Sequence, residues 1–487
     1  MSSFKELAKI IKKNQPEADL DLVRLAYDFA QKAHEGQNRF SGEPYFNHTL
    51  ATAKILAENK ADIPTIVAGL LHDIPENTTT PFGKIEKNFG KEVSNLVQGT
   101  TKLGKIQYRG MDRYVENLKK MFLSAASDSR VFLIKFADRL HNLWTLEALP
   151  PPKRLRIAQE TLKIYAPIAG LLGMWRLRWQ LEDECFRYID SENYNKIKKY
   201  YEIEQKYERE QYIEKIKQII LTEAKKQSIK CEVNGRFKHI YSIFRKMQER
   251  GKQFNEIYDV FALRIIVESV SDCYKMLGII HNLWRPKKDR FKDYIAVPKP
   301  NGYRSLQTTV FGPEGKLTEF QIRTHEMNEE ALYGIAAHWR YKEINLAEFK
   351  TKSEWINDIL ELQKQYKDTN EYIKNFKFDI LDDRIFVFTP KGEVIDLPKE
   401  ATPIDFAYHV HTEIGNKCAG AIVNDKMMPL DAKLKSGDVV QIITEKNRPG
   451  PNLDWLKFAK TNLARSRIRH FAKSKGLLTK LLTKIKR

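Results

Sequence analysis

The sequence predicts a multidomain chain: an all-α domain, then an α/β domain, then a small ubiquitin-like α+β module. Three observations predict it. The 487 residues exceed what one hydrophobic core supports. Apolar residues recur at three- and four-residue spacing through the first part of the chain, as in LVRLAYDFAQKAH and RVFLIKFADRLHNLWTLEAL. From about Ile229 the rhythm changes to short β-rich segments bounded by Gly, Pro or Asn.

Residues 1–192 read as helix after helix, punctuated by Gly42, Pro44 and the Pro150–Pro152 run. Residues 193–228, dense in Lys, Glu and Tyr, read as a polar helical connector rather than a core. Residues 229–345 hold the strand candidates ALRIIVES, DYIAVPK, TTVFG and LTEFQIRT with helices between them, which suggests one sheet. A second polar helical connector covers 346–378. Residues 379–445 place the short strands RIFVFTP, GEVIDLP, AGAIVN and VVQIIT around a helix at PIDFAYHVH. The tail, 446–487, is basic and helical, with no acid after Asp454.

A formal charge of +20 attracts polyanions, whether nucleotides, RNA or an anionic surface. No apolar run reaches the roughly 18 residues that span a bilayer. The N-terminus lacks an apolar signal core, so the expected compartment is the cytoplasm, with no membrane partner. Cys185, Cys231, Cys273 and Cys418 lie far apart without a CxxC pair, which argues against a disulfide framework or a thiolate zinc site.

Two constellations carry chemistry. In the helical domain His48, the His72-Asp73 pair and Asp138 supply two imidazoles and two carboxylates from separate helices. That donor set suits a divalent ion such as Mn²⁺, which would polarise a phosphoryl oxygen and activate water. Capping helices and filling a polar core is the alternative use of the same residues. Glu76 stands where a carboxylate could take a proton from water, whereas Asn77 beside it cannot act as a base. Arg39 and Lys102 offer positive charge to phosphate or to solvent. In the α/β domain Arg236, Lys238, Arg245, Arg290, Lys292, Lys299, Arg304 and Arg323 surround two acids on strand candidates, Asp259 and Glu319. Two such acids hold Mg²⁺, and the cations spread the charge of a phosphoryl-type transfer. Tyr303, after Asn301-Gly302, is placed on a turn to stack on a base. A general RNA-binding surface would use the same cations and aromatics but has no need of the acids.

The helical set is similar to the HD-domain metal-dependent phosphohydrolases. Over nearly the whole chain, the motifs HEGQNRFSGEPYFNH, LLHDIPENT, IKFADRLHN, GRFKHIYSI, RFKDYIAVPKPNGYRSL and GIAAHWRYKE resemble the RelA/SpoT-homologue family. That family makes and degrades guanosine tetra- and pentaphosphate. The block from Asp379 to Thr444 resembles a TGS domain, and residues 229–345 a nucleotidyltransferase-like synthetase domain.

The resemblance implies Mn²⁺ ligands at His48, His72, Asp73 and Asp138, and nucleotide contacts at Arg39, Ser41 and Asn142. In the synthetase it implies Mg²⁺ acids at Asp259 and Glu319, a base-stacking Tyr303, and phosphate-binding Arg236, Lys238, Ser242, Lys292 and Lys299, with Asn301 and Gln307 beside the nucleotide. The implied reaction moves pyrophosphate from ATP to the 3′-hydroxyl of GDP or GTP. Arg290-Phe291-Lys292-Asp293 is similar to the bifunctional branch, and His411 matches a TGS histidine at the tRNA 3′ end, which with the basic tail implies tRNA or ribosome contact. The chain departs from the pattern at four places. Asn77 replaces the second acid of a Glu-Asp pair, Gly170-Leu171 a His-Arg pair, Gln307 a histidine and Leu332 a glutamate. Asn77 leaves open a synthetase whose HD domain only regulates. Decay of both sites would leave an RNA- or ribosome-binding module.

Overall fold

The computed structural model describes residues 3–101, 120–121, 123–125, 127–200, 206–235, 239–250, 261–288, 290–299, 302–334, 384–435 and 437–474. The chain forms two compact units, Met1–Asn357 and Asp358–Arg487.

The first unit opens with helices α1 (Phe4–Asn14), α2 (Asp21–Ala33), α3 (Phe46–Glu58), α4 (Ile63–Leu71), α5 (Ile74–Asn77) and α6 (Phe82–Thr100). Helices α7 (Arg130–Trp144) and α8 (Pro151–Glu160) follow, then a π-helical turn over Thr161–Tyr165 and helices α9 (Ala166–Leu171), α10 (Trp175–Ile189) and α11 (Ser191–Lys199). Helix α7 is buried on every side from Arg130 to Asp138, because Val131, Phe132, Leu133, Ile134 and Phe136 cover its whole circumference. It packs against α3 and α10, so its polar residues Lys135, Asp138 and His141 lie inside and must find partners there.

The sheet part follows: α12 (Lys206–Lys226), β1 (Cys231–Gly235), α13 (Ile240–Arg250), β2 (Phe261–Val267), α14 (Val270–Leu283), β3 (Lys292–Asp293), β4 (Leu306–Phe311), β5 (Leu317–Thr324) and α15 (His325–Tyr333). The strand order is β1-β2-β5-β4-β3, with β2 and β5 parallel and the other pairs antiparallel. Side chains alternate across a strand, so one face is apolar and the other polar. Leu263, Ile265, Phe320, Ile322, Leu306 and Val310 pack on Tyr212, Ile216 and Ile220 of α12 and on Cys273, Met276 and Ile280 of α14. The opposite face carries Arg264, Gln321, Gln307 and Lys292 in one cross-strand row, beside Glu319 paired with Thr309.

Two details differ from expectation. Helix α12, read as polar connector, supplies core: Tyr212, Ile216, Ile220 and Ala224 recur every fourth residue in a narrow buried stripe between charged positions. DYIAVPK extends as strand only at Asp293, because its Oδ1 accepts the N–H groups of Ile295 and Ala296, both at 2.9 Å, and turns the chain.

Helix α15 closes the sheet part onto the helical part. Gly334, just past its end, has φ +54° and ψ −129°, and a Cβ there would stand 2.2 Å from the Leu172 carbonyl oxygen. Only glycine allows that approach. Tyr333 lies below the Lys60 ammonium, 4.8 Å from its ring centre, and Lys60 is ion-paired with Glu329.

The second unit contains β6 (Arg384–Phe388), β7 (Val394–Pro398), α16 (Pro403–Val410), α17 (Thr412–Asn416), β8 (Cys418–Val423), β9 (Lys426–Met428), β10 (Val440–Thr444), a 3₁₀ turn over Leu453–Lys457 and α18 (Asn462–Ser474). Its sheets are β10-β8-β9 and β6-β7, joined by a parallel bridge between Phe388 and Val439. The expected α+β module is present, with β9 and α17 added to the expected elements. No helix among the described residues is long and apolar enough to cross a membrane.

Candidate active sites

In the helical part α3, α4 and α7 bring His48, His72, Asp73 and Asp138 together. Donor atoms of His48, His72 and Asp138 all lie within 4.8 Å of one another. Asp73 completes the group, with Oδ2 3.4 Å from His48 Nε2 and Oδ1 3.3 Å from His72 Nε2. His72 Nδ1 lies 2.8 Å from the Gly69 carbonyl oxygen, to which it donates in the tautomer that leaves Nε2 a bare lone pair. That Nε2 is buried without a hydrogen-bond partner. An orphaned imidazole nitrogen among carboxylate oxygens is the arrangement a cation resolves, and the four residues fit a divalent metal. Burial would raise the Asp73 and Asp138 carboxyls, but positive charge from His72 and His48 around the first, and from Lys135 and His48 around the second, holds both below the usual carboxylate range; a bound cation would supply that charge in place of the imidazole protons.

A second layer orients this group. Tyr45 donates to Asp73 Oδ2 at 2.7 Å, and Asn77 Nδ2 donates to the Tyr45 hydroxyl at 3.0 Å. Asn142 Nδ2 donates to Asp138 Oδ1 at 2.6 Å, and Asn142 Oδ1 accepts from Arg39 Nη2 at 2.5 Å. Arg39 Nη1 also reaches Thr145 Oγ1 at 3.0 Å. His141 Nδ1 lies 2.8 Å from His48 Nδ1, and burial, with His48 and Arg39 nearby, pushes it down to about 3. A neutral His141 accepts the His48 Nδ1 proton and so turns His48 Nε2 toward the carboxylates. Glu76 faces the ammonium groups of Lys120 and Lys135. Ser41 is exposed on the turn between Asn38 and Pro44.

The polar face of the sheet floors a cleft of about 1390 Å³, above the roughly 300–1,000 Å³ usual for one small ligand. Gln321 Nε2 donates to Glu319 Oε1 at 3.0 Å, and Arg323 Nη2 donates to Gln321 Oε1 at 3.0 Å. The Tyr303 ring has Lys299 Nζ 5.2 Å and the Arg323 guanidinium 5.6 Å from its centre, and Gln307 Nε2 donates to its hydroxyl at 2.9 Å. Lys292 pairs with Gln307 across β3 and β4. Ser242 Oγ, in the first turn of α13, donates to the His239 carbonyl at 2.8 Å. Arg304 turns to Glu326 and Glu330 on α15 instead. Arg236, Lys238, Asp259 and Asn301 lie outside the described residues, as does Lys102.

Three family descriptions match the chain: "HD domain" over residues 26–175, "Region found in RelA / SpoT proteins" over 235–345 and "TGS domain" over 385–444. A "Bifunctional (p)ppGpp synthase/hydrolase SpoT" of Escherichia coli is 43% identical over 481 residues, covering 97% of this chain and 68% of the relative. The chain belongs to the RelA/SpoT family. A GTP pyrophosphokinase of Myxococcus xanthus is 44% identical over 471 residues, covering 94% of this chain and 61% of its own. A probable guanosine-3′,5′-bis(diphosphate) 3′-pyrophosphohydrolase of Synechocystis is 46% identical over 460 residues, covering 93% and 60%. The chain thus spans between 60% and 68% of the length of these relatives.

Within this RelA/SpoT chain, sequence reasoning missed Tyr45, His141 and Thr145. His141 follows Asp138 by three residues and Thr145 follows His141 by four, so one helical face carries all three. Gln321, two residues from Glu319 on the same strand face, was signalled by the strand period. Two departures have a physical reading. A Cβ at Gly170 would meet Arg178 Nη1 at 2.6 Å, so glycine leaves room for a guanidinium that covers the Trp175 ring. Leu332 lines the cleft as an apolar group. In the second unit His411 is exposed and caps α17, its Nδ1 accepting the Glu413 N–H at 3.2 Å.

Proposed function

We propose that the chain both makes and degrades guanosine tetra- and pentaphosphate. In this reading residues 1–192 remove the 3′-pyrophosphate, and 229–345 together with α12 transfer pyrophosphate from ATP to the 3′-hydroxyl of GDP or GTP, releasing AMP. Residues 193–205 and 346–378 connect the parts, 379–445 form the TGS module, and 446–487 the basic tail.

The observation that carries hydrolysis is the buried, orphaned His72 Nε2 facing Asp73 and Asp138. His48, His72, Asp73 and Asp138 would hold Mn²⁺, which polarises the scissile phosphoryl group and lowers the pKa of water. Arg39 and Asn142, already bonded to each other, bind the nucleotide, with Ser41 on the rim. Glu76 takes the proton from water. Asn77 cannot share that task, so hydrolysis turns over slowly. Asn77 also favours the second reading, in which the HD domain binds ligand and regulates without hydrolysing.

For synthesis Asp259 and Glu319 would hold Mg²⁺, and Glu319 takes the 3′-hydroxyl proton. Tyr303, flanked by Lys299 and Arg323, stacks on guanine. Lys292, Lys299, Arg236, Lys238 and Ser242 bind phosphates, while Asn301 and Gln307 stand beside the nucleotide. His411 and the basic tail would meet tRNA or the ribosome, and the compartment is the cytoplasm.

The test is a paired assay. Purified chain with ATP, GDP and Mg²⁺ makes tetraphosphate, and chain with tetraphosphate and Mn²⁺ consumes it slowly. Synthesis without any hydrolysis selects the second reading. Neither activity leaves the RNA- or ribosome-binding module.

A further inference from the structure

Helix α13 lines the cleft with Ser242, Arg245 and Lys246, which share one helical face. Its apolar side does not lie in the core of the sheet. Ile240 and Ile243 pack with Phe186 of α10 and Ile197 of α11, both from the helical part. The first turn of α13 is fastened from the same side. Asp183 of α10 accepts the Tyr241 N–H at 2.8 Å and the Ile240 N–H at 3.3 Å. These are first-turn amides that no residue within the helix can satisfy. One turn earlier on α10, the Trp179 ring stacks on His239 at 4.3 Å, the planes 3° apart. Burial pushes the Asp183 carboxyl up to about 6 against the pull of the two amides, so it is ionised at neutral pH and meets the positive end of the helix.

We infer that Asp183 is a positioning residue for pyrophosphate transfer: from the hydrolytic part of the chain it sets where α13 presents Ser242, Arg245 and Lys246 to the nucleotides. The inference rests on reading the cleft as the synthetase site. It makes α10 a shared wall, since a displacement of this helix carries the phosphate-binding helix with it.

The experiment compares the full chain with Asp183→Ala and Asp183→Asn. It measures kcat and KM for ATP and GDP, metal-dependent hydrolysis, and the melting temperature. Losing a side-chain cap raises a nucleotide KM about fivefold in Asp183→Ala, with hydrolysis and melting nearly unchanged. Asparagine keeps one acceptor oxygen and restores most of the loss. Unchanged KM and kcat in Asp183→Ala, beside an active unsubstituted chain, overturn the inference alone. Equal losses of synthesis, hydrolysis and melting temperature also overturn it, because they mark a general packing defect. No synthesis by the unsubstituted chain overturns the reading of the cleft, and this inference with it.

Discussion

Replacing Asn77 by aspartate exchanges a hydrogen-bond donor for an acceptor at the end of a chain of three groups. Asn77 Nδ2 donates to the Tyr45 hydroxyl at 3.0 Å, and that hydroxyl spends its one proton on Asp73 Oδ2 at 2.7 Å. A carboxylate at position 77 cannot donate. Either Tyr45 keeps its bond to Asp73 and faces the new oxygen with a lone pair, or it turns and leaves Asp73 without its donor. Each outcome loses one hydrogen bond, about 1 kcal/mol, and less at this exposed position. Metal affinity therefore falls by no more than about fivefold. Against this stands a second acid beside Glu76, and a positioned acid–base group is worth roughly 10²–10⁴ in rate. The balance predicts that Asn77→Asp raises hydrolytic turnover about a hundredfold at saturating Mn²⁺ while its Mn²⁺ titration shifts slightly to higher concentration. Pyrophosphate release from guanosine tetraphosphate, followed across a metal titration, measures both. Unchanged turnover at saturating metal would refute the reasoning and leave position 77 only its bond to Tyr45.

Three further outcomes are expected. Gly334→Ala drives a Cβ against the Leu172 carbonyl in a backbone conformation closed to other residues; it should destabilise the first unit by about 3 kcal/mol, read as a lower thermal midpoint. Tyr303→Ala removes about 1–3 kcal/mol of base stacking and should raise the KM for GDP tenfold or more, whereas Tyr303→Phe keeps the ring, loses the Gln307 bond and should leave that KM within about threefold. Chelation followed by Mg²⁺ alone should restore synthesis and leave hydrolysis absent until Mn²⁺ is added, as product analysis of the two assays will show.

Much of this was readable from residues because periodicity records burial. Helix α7 announced itself by apolar residues at three- and four-residue spacing, and His48, His72, Asp73 and Asp138 stood out as polar residues contributed by separate helices of that kind. Helix α12 was hidden, since Lys, Glu and Gln interleave its buried stripe along the whole length. DYIAVPK has strand composition, and only the reach of the Asp293 carboxylate to the following amides turns it. The second layer was least legible. That Tyr45 meets Asp73, or Arg39 meets Asn142, depends on how three helices cross, and no local spacing encodes it.

Asp405 is fully buried in the second unit, and its carboxylate accepts from Thr402 N and Oγ1, Lys460 N, and Thr461 N and Oγ1. Trp455, Ala464 and Ile468 share a core with Ile404 and Tyr408. The match to a TGS domain ends at residue 444, before every one of these later partners. A fragment cut at that boundary would leave the Asp405 carboxyl without its Lys460 and Thr461 donors and a bare aromatic surface where the intact protein has a seal. Anyone isolating this module for binding studies should carry the chain through Ser474, or stickiness born of the cut will pass for affinity.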